Sequence, residues 1–332
     1  MSIPALEARP TPLVVRVGVG SRLVAEEVGG KGASLDRLTR SGLAVPAAFV
    51  VTAAAFRAQL ESVAGIEDLV ANLPEPAARE AIFAALVDAP ILPTLAREIA
   101  AALAALARDH EAAIATGQAA PGMDRDAARD PIVFAVRSSA LDEDGATASF
   151  AGLHETELGL TADEVDPAIR RCWLSLWSAP AIAYRTRRGL PVRGLAMAVV
   201  VQVLVAADAS AVLFTRHPVT GRTDQVLLTA IRGLGEPMVS GEATPETLVV
   251  DRATRQVVER MAGRPGPRSL VVAGRIVERH DPSPEAVLTA QAVADLVDVG
   301  LEVEAAAGSP VDIEAALVGS TWFLLQSRPI TT

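Results

Sequence analysis

The sequence predicts an α+β fold in two parts, a helix-rich first part over residues 1–190 and a sheet-rich second part over residues 191–332. Three observations carry that expectation. From residue 54 to about 117 the chain is rich in Ala and Leu at helical spacing, broken by Pro74, Pro90 and Pro93. After Gly194 short apolar runs rich in β-branched residues dominate, which is the mark of strands. A length of 332 residues is enough for about two packed units.

In chain order, "VGGKGASL" (28–35) reads as a glycine-rich turn opening a helix over 33–41, which Gly42 ends. "AAFVVT" is a strand, and Thr52 is placed to cap the helix after it. "IVFAVR" and "HETELGL" are strands, and 162–190 holds two helices split near Pro180. Between them "ATGQAAPGMDRDAARDP" is loop-like. Strands follow at 196–205, 211–216, 225–231, 246–250 and 255–260, then a helix over about 284–306 and strands 310–317 and 321–327. The run "LAMAVVVQVLVAADASAVLF" (195–214) has the length of a membrane span, but Gln202, Asp208 and Ser210 interrupt it, and it is read as two buried strands joined by a turn at "AADAS".

Composition narrows the functions. Half the residues are hydrophobic but only 3% are aromatic, so the core is built from Ala, Val, Leu and Ile. The net charge of −10, with no run of basic residues, argues against nucleic acid and anionic membranes as partners. One cysteine, Cys172, and no signal-peptide pattern in "MSIPALEARP" lead to the expectation of a reducing, cytoplasmic setting. The four histidines, His110, His154, His217 and His280, show no metal-ligand spacing, so zinc is not expected.

Three stretches could carry chemistry. "VGGKGASL" sets Lys31 among glycines, and a turn opening a helix offers free N–H groups to a phosphate. It is not the common phosphate loop, which would need Gly in place of Ala25 and Ser or Thr in place of Gly32. The dinucleotide fingerprint fails too, because Leu23 follows Gly18 and Gly20, and Met238 follows Gly233 and Gly235. An ordinary turn and a phosphate site both remain open. "FAVRSSALDEDGATASFAGLHETELG" delivers Arg137 from a buried strand into a loop of small residues, Gly145, Ala146, Ala148, Ser149, Ala151 and Gly152. That loop could cover a phosphate through its backbone, or it could be a surface loop.

The third stretch is the final hairpin. Asp312 and Glu314 share one face of a strand, as Gln326 and Arg328 do on the next. With the turn centred on Ser320, Asp312 falls opposite Arg328 and Glu314 opposite Gln326. Carboxylate and amide oxygens suit Mg²⁺, and a guanidinium fork suits phosphate. A surface ladder with one cross-strand ion pair is the competing reading.

Five blocks in order, "VGGKGASL" with "GLAVPAAFVVT", "FAVRSSALDEDGATASFAGLHETELGL", "VVVQVLVAADASAVLFTRHPVTG", "GLGEPMVSGEATPETLVV" and "VDIEAALVGSTWFLLQSRPITT", resemble the N-terminal ATP-binding domain of the phosphoenolpyruvate synthase and pyruvate phosphate dikinase family, which includes rifampin phosphotransferases. The resemblance implies an ATP-grasp fold with nucleotide in a cleft between two subdomains. It implies that Lys31 and Arg137 contact the ATP phosphates, with Thr156 near them, and that Gln202 lies at the adenine end. It further implies that Glu314 and Gln326 hold Mg²⁺, that Asp312 supports them, and that Arg328 binds a terminal phosphate.

Members of the family pass a phosphoryl group from ATP to a histidine on a separate swivelling domain and then to pyruvate or another acceptor. No block here resembles that phosphohistidine segment or the acceptor-binding domain. Glu246 stands where Asp is usual, and Ala315 where Trp is usual. The resemblance therefore implies the ATP-binding component of a phosphotransferase that works with a phosphohistidine domain or subunit and an acceptor-binding one. The alternatives are a nucleotide-binding regulatory module without catalysis and the ATP domain of a rifampin-type antibiotic phosphotransferase. ATP turnover with a histidine-bearing partner separates the first two.

Overall fold

The computed structural model describes residues 12–87, 89–115, 131–141, 156–282 and 285–330. It is a mixed α/β structure with two large antiparallel sheets and a two-stranded hairpin, in keeping with the expected α+β class. The small-residue loop 145–152 and His154 lie outside the described residues.

The first sheet has five strands in the order β1-β2-β5-β3-β4: β1 Val14–Arg16, β2 Ala48–Val51, β3 Phe134–Ala140, β4 Thr156–Leu160 and β5 Met197–Val203. β2 and β5 are buried at every position, which is why they read as unbroken apolar runs. One face packs under five helices: α2 Ala53–Glu61, α4 Pro76–Val87, α5 Pro93–Ala115, α6 Val165–Ser175 and α7 Ala179–Arg188. A shorter helix, α3 Ile66–Ala71, lies between α2 and α4. Phe56, Ile82, Leu106, Ile169 and Trp173 meet Phe49, Val199 and Val201 in that layer. Thr52 caps α2 through a bond from the Ala55 N–H at 3.3 Å.

The opposite face of the first sheet carries α1, Ala25–Arg40. Val28 and Leu35, two turns apart, pack on Ala48, Val50, Ala198 and Val200. Leu38, further along α1, belongs instead to the core of the second sheet. α1 therefore lies between the two sheets. The glycine-rich stretch expected as a turn before the helix is inside it, reduced to one break at Gly29 with φ 69 and ψ 172.

The second sheet has six strands in the order β13-β12-β6-β7-β8-β9: β6 Ala209–Phe214, β7 Gln225–Arg232, β8 Glu246–Asp251, β9 Val257–Met261, β12 Val311–Val318 and β13 Thr321–Pro329. α9, Ala290–Ala307, covers it, approaching so closely that a Cβ on Gly300 would meet Leu213 at 2.7 Å. A short helix, α8 Glu236–Val239, follows β7. The two strands read in 195–214 exist, but they do not form a hairpin. β5 pairs in the first sheet and β6 in the second, and 204–208 is the crossover.

A separate hairpin, β10 Gly266–Val272 and β11 Arg275–Asp281, was not expected from the sequence. Both of its turn residues, Ala273 and Gly274, have positive φ, so it is a tight turn of the type usually marked by Asn-Gly. Ala at the first position removed that mark.

Candidate functional site

The segment 43–47, from "GLAVPAAFVVT", crosses between the sheets. Its Ala44 carbonyl accepts from Leu324 N–H on the edge strand β13 at 2.8 Å, and its Ala47 carbonyl accepts from Val203 N–H on β5 at 2.9 Å. The edge strand of the second sheet is thereby tied to the crossing segment at Leu324. The residues singled out in the sequence gather along this seam.

Asp312 pairs with Arg328 and Glu314 with Gln326, the pairs expected from the sequence. The turn, however, is not centred on Ser320. It is a two-residue turn at Gly319 and Ser320, since Val318 pairs with Thr321. A β-bulge restores the expected pairing: Ala315 pairs with Leu324, Glu314 with Gln326, and Leu325 is the extra residue. The bulge also changes which face the strand presents. Before it, Trp322 and Leu324 enter the core under α9 with Ile313 and Ala315. After it, Gln326 and Arg328 share the opposite face with Glu314 and Asp312, because directly paired residues point the same way.

Arg137 on β3 joins this cluster from the other sheet. Its guanidinium donates to Glu314 Oε2 at 2.8 Å, to Gln326 Oε1 at 3.0 Å and to the carbonyl of the bulge residue Leu325 at 2.9 Å. Its side chain is only 12% exposed and that of Glu314 31%. Beside it, Arg328 Nε donates to Asp312 Oδ2 at 2.7 Å. Thr156, the first residue of β4, is exposed and lies directly across from Arg137 in the β3–β4 ladder.

Lys31 is half-buried on α1, two residues past the Gly29 break. α1 is held at both ends of this region. Ser34 Oγ donates to the carbonyl of Ser327, between Gln326 and Arg328, at 2.7 Å. Ser139, two residues beyond Arg137, donates from Oγ to Val28 O at 2.8 Å and accepts from Gly32 N–H at 3.3 Å. One turn further, the fully buried Asp36 accepts from Gly18 N–H, Leu23 N–H and Arg40 Nε. Burial pushes its carboxyl up, but the Arg40 bond and the two N–H groups outweigh that and hold it below the ordinary value of 3.8.

Gln202 behaves differently. It faces the same side of the first sheet as Arg137, since it pairs with Ala135, but it is 2% exposed and its amide donates to the Pro46 carbonyl at 3.3 Å. The structure gives it a bracing task on the crossing segment. Glu246, noted in the sequence as a departure from the usual Asp, is buried. It accepts from Arg260 at 2.5 Å and from Val287 and Leu288 N–H, fixing the approach to α9. His217 accepts from the Val219 and Thr220 N–H groups with Nδ1 and caps its own turn.

Three parts of the site escaped sequence reading. Ser139, Ser34 and the Leu325 carbonyl act through contacts spanning 107 to 293 residues. Only Ser139 left a local signal, as a polar residue at the end of a buried strand.

A family profile described as "Pyruvate phosphate dikinase, AMP/ATP-binding domain" matches residues 25–332. The chain is 33% identical to a probable phosphoenolpyruvate synthase of Pyrococcus horikoshii, over 92% of this chain and 42% of that protein. It is 32% identical to the phosphoenolpyruvate synthase of Pyrococcus furiosus, with the same two coverages. It is 38% identical to a rifampicin phosphotransferase of a Streptomyces species, over 92% of this chain and 34% of that protein. The chain thus spans less than half the length of these relatives.

Proposed function

Because the chain belongs to the family of pyruvate phosphate dikinase AMP/ATP-binding domains, we propose that it binds ATP in an ATP-grasp cleft along the seam between its two sheets and serves as the ATP-cleaving part of a phosphotransferase. The observation that supports this most is Arg137. A single guanidinium from the first sheet converges with a carboxylate, an amide oxygen and a freed carbonyl of the second. Lys31 adds to it: among the 30 basic residues of the chain it is the only lysine, all others being arginine. A chain that uses arginine everywhere else and lysine here has a use for a compact ammonium, which a planar guanidinium does not replace.

In this reading Lys31, Arg137 and Arg328 take the phosphate oxygens, with Thr156 beside Arg137. Glu314 and Gln326 would hold Mg²⁺, with Asp312 in support. These donors fit a hard cation: all are oxygens, and those of Glu314 and Gln326 already converge on one positive group. Among the described residues no group of three His, Cys, Asp or Glu side chains forms a metal site. Mg²⁺ held there would supply neutralisation of charge on the phosphates as they separate. The cationic side chains supply the same stabilisation from the other side. Gln202 enters at the adenine end by resemblance alone.

The products proposed are AMP and phosphate: the β-phosphoryl group goes to a histidine on another domain or subunit with AMP leaving, water takes the γ-phosphoryl group as phosphate, and the histidine passes its group to pyruvate or another acceptor. The relatives are longer than this chain, which agrees with partners carrying those steps. The 38% identity to a rifampicin phosphotransferase keeps an antibiotic acceptor as the second reading. The proposed setting is cytoplasmic; among the described residues no helix is long and apolar enough to cross a membrane. The test is incubation with labelled ATP and Mg²⁺, with and without a phosphohistidine domain from a relative. Labelled phosphohistidine and AMP should form only with that domain. A stable phosphohistidine on this chain alone would refute the division of labour.

A further inference from the structure

We propose that Ser139 is a positioning residue for Lys31: its hydroxyl takes the place of a missing helical hydrogen bond in α1 and so fixes the turn that carries the lysine against the strand that carries Arg137. What Lys31 is positioned to do rests on the ATP reading above; the staple rests on geometry alone.

An unbroken α-helix joins the carbonyl of residue 28 directly to the N–H of residue 32. In α1 the backbone leaves the helix at Gly29, and Ser139 Oγ stands between those two groups. It donates to Val28 O at 2.8 Å and accepts from Gly32 N–H at 3.3 Å. Insertion of a side chain into the helical ladder is a recognised cause of a kink, and here the inserted group comes from another element. Ser139 is fully buried, so no water can take over. The approach requires glycine at 29 twice over: φ is positive, and a Cβ would meet Ser139 O at 2.2 Å and Oγ at 2.3 Å.

Lys31 lies within the turn that this hydroxyl closes. Ser139 shares its strand and its face with Arg137, two residues away. One rigid strand therefore carries one cation and sets the other. At the far side, Ser34 ties the same helix to the backbone between Gln326 and Arg328. Shifting the turn at Ser139 moves Lys31 relative to every other charged group of the seam. A hydroxyl that only satisfied buried backbone would affect stability without affecting Lys31.

Because Lys31 is the only lysine, reductive methylation with ¹³C-formaldehyde yields a single lysine side-chain NMR signal. The amino terminus is told apart with Lys31→Arg, which loses the lysine signal and keeps the terminal one. The signal is compared in the wild-type chain, Ser139→Ala, Ser139→Cys and a control of generic destabilisation, Gly300→Ala in α9. ATP affinity with Mg²⁺ is measured on unmodified protein. Ser139→Ala should move the Lys31 signal and raise the ATP dissociation constant about tenfold, with Ser139→Cys, a weaker donor, in between. Gly300→Ala should leave both unchanged. If Ser139→Ala does not fold, the Cys variant carries the comparison. A Lys31 signal that superimposes on wild type in the Ser139 variants, or one that Gly300→Ala moves as far, overturns the proposal. Absence of ATP binding by the wild-type chain would instead refute the functional reading, while the NMR comparison would still decide the staple.

Discussion

Replacing Arg137 with Met keeps most of the aliphatic stem and removes the guanidinium that ties the two sheets. Three hydrogen bonds go with it, to Glu314, Gln326 and the Leu325 carbonyl. A charge-assisted bond contributes about 1.5–3 kcal/mol and a neutral one about 0.5–1.5 kcal/mol. Glu314 is 31% exposed, so water recovers much of its share. The net expectation is a loss of ~2 kcal/mol, read in thermal unfolding as a drop of about 3 °C for a chain of 332 residues. The loss in ATP affinity should be larger in relative terms, about 10- to 100-fold, since one charge-assisted contact to phosphate disappears as well. The assays are calorimetric unfolding and titration with ATP and Mg²⁺. A variant with lowered stability and unchanged ATP affinity would make Arg137 a structural strut and would refute the phosphate role.

Glu314→Gln should lower ATP affinity in the presence of Mg²⁺ more than in its absence; equal losses in the two titrations would make the pair with Gln326 structural. Lys31→Arg should weaken ATP binding nearly as much as Lys31→Ala, and an arginine variant that binds like wild type would show that any cation suffices there. Asp36→Asn should destabilise the fold by about 1.5–3 kcal/mol at neutral pH, because a charge-assisted bond to Arg40 is lost. The folded carboxyl of Asp36 is held below 3.8, so its contribution is fully present above the unfolded value and is lost as pH falls through the lower folded one. Denaturation curves of wild type and Asp36→Asn should therefore converge in strong acid; a gap that stays constant would remove the linkage.

The parts of the site legible in the sequence are those written by short periods. Asp312 and Glu314, then Gln326 and Arg328, lie two apart on strands, and two residues are enough to place them on one face. The bulge at Leu325 was not legible, because a two-residue turn and an extra residue together give the same pairs as a turn centred on Ser320. The runs 196–205 and 211–216 were recognisable as strands, but not their assignment to different sheets. That choice is made by Ala48, Ala135 and Ser210 pairing far along the chain, which no local pattern records. The hairpin at 266–281 was missed because Ala273 holds a positive φ where Asn or Gly would have announced the turn. The break in α1 was visible as glycines around Lys31, but its cause, the hydroxyl of Ser139, lies 107 residues from Gly32.

The most direct measurement of whether the seam between the sheets is a nucleotide site is calorimetric titration of the wild-type chain with ATP, with and without Mg²⁺. One ATP per chain should bind, more tightly with Mg²⁺ than without, and that metal dependence should vanish in Glu314→Gln. Absence of ATP binding in the presence of Mg²⁺, or binding that is indifferent to the metal, would contradict the assignment of Arg137, Glu314 and Gln326 to a nucleotide and its ion.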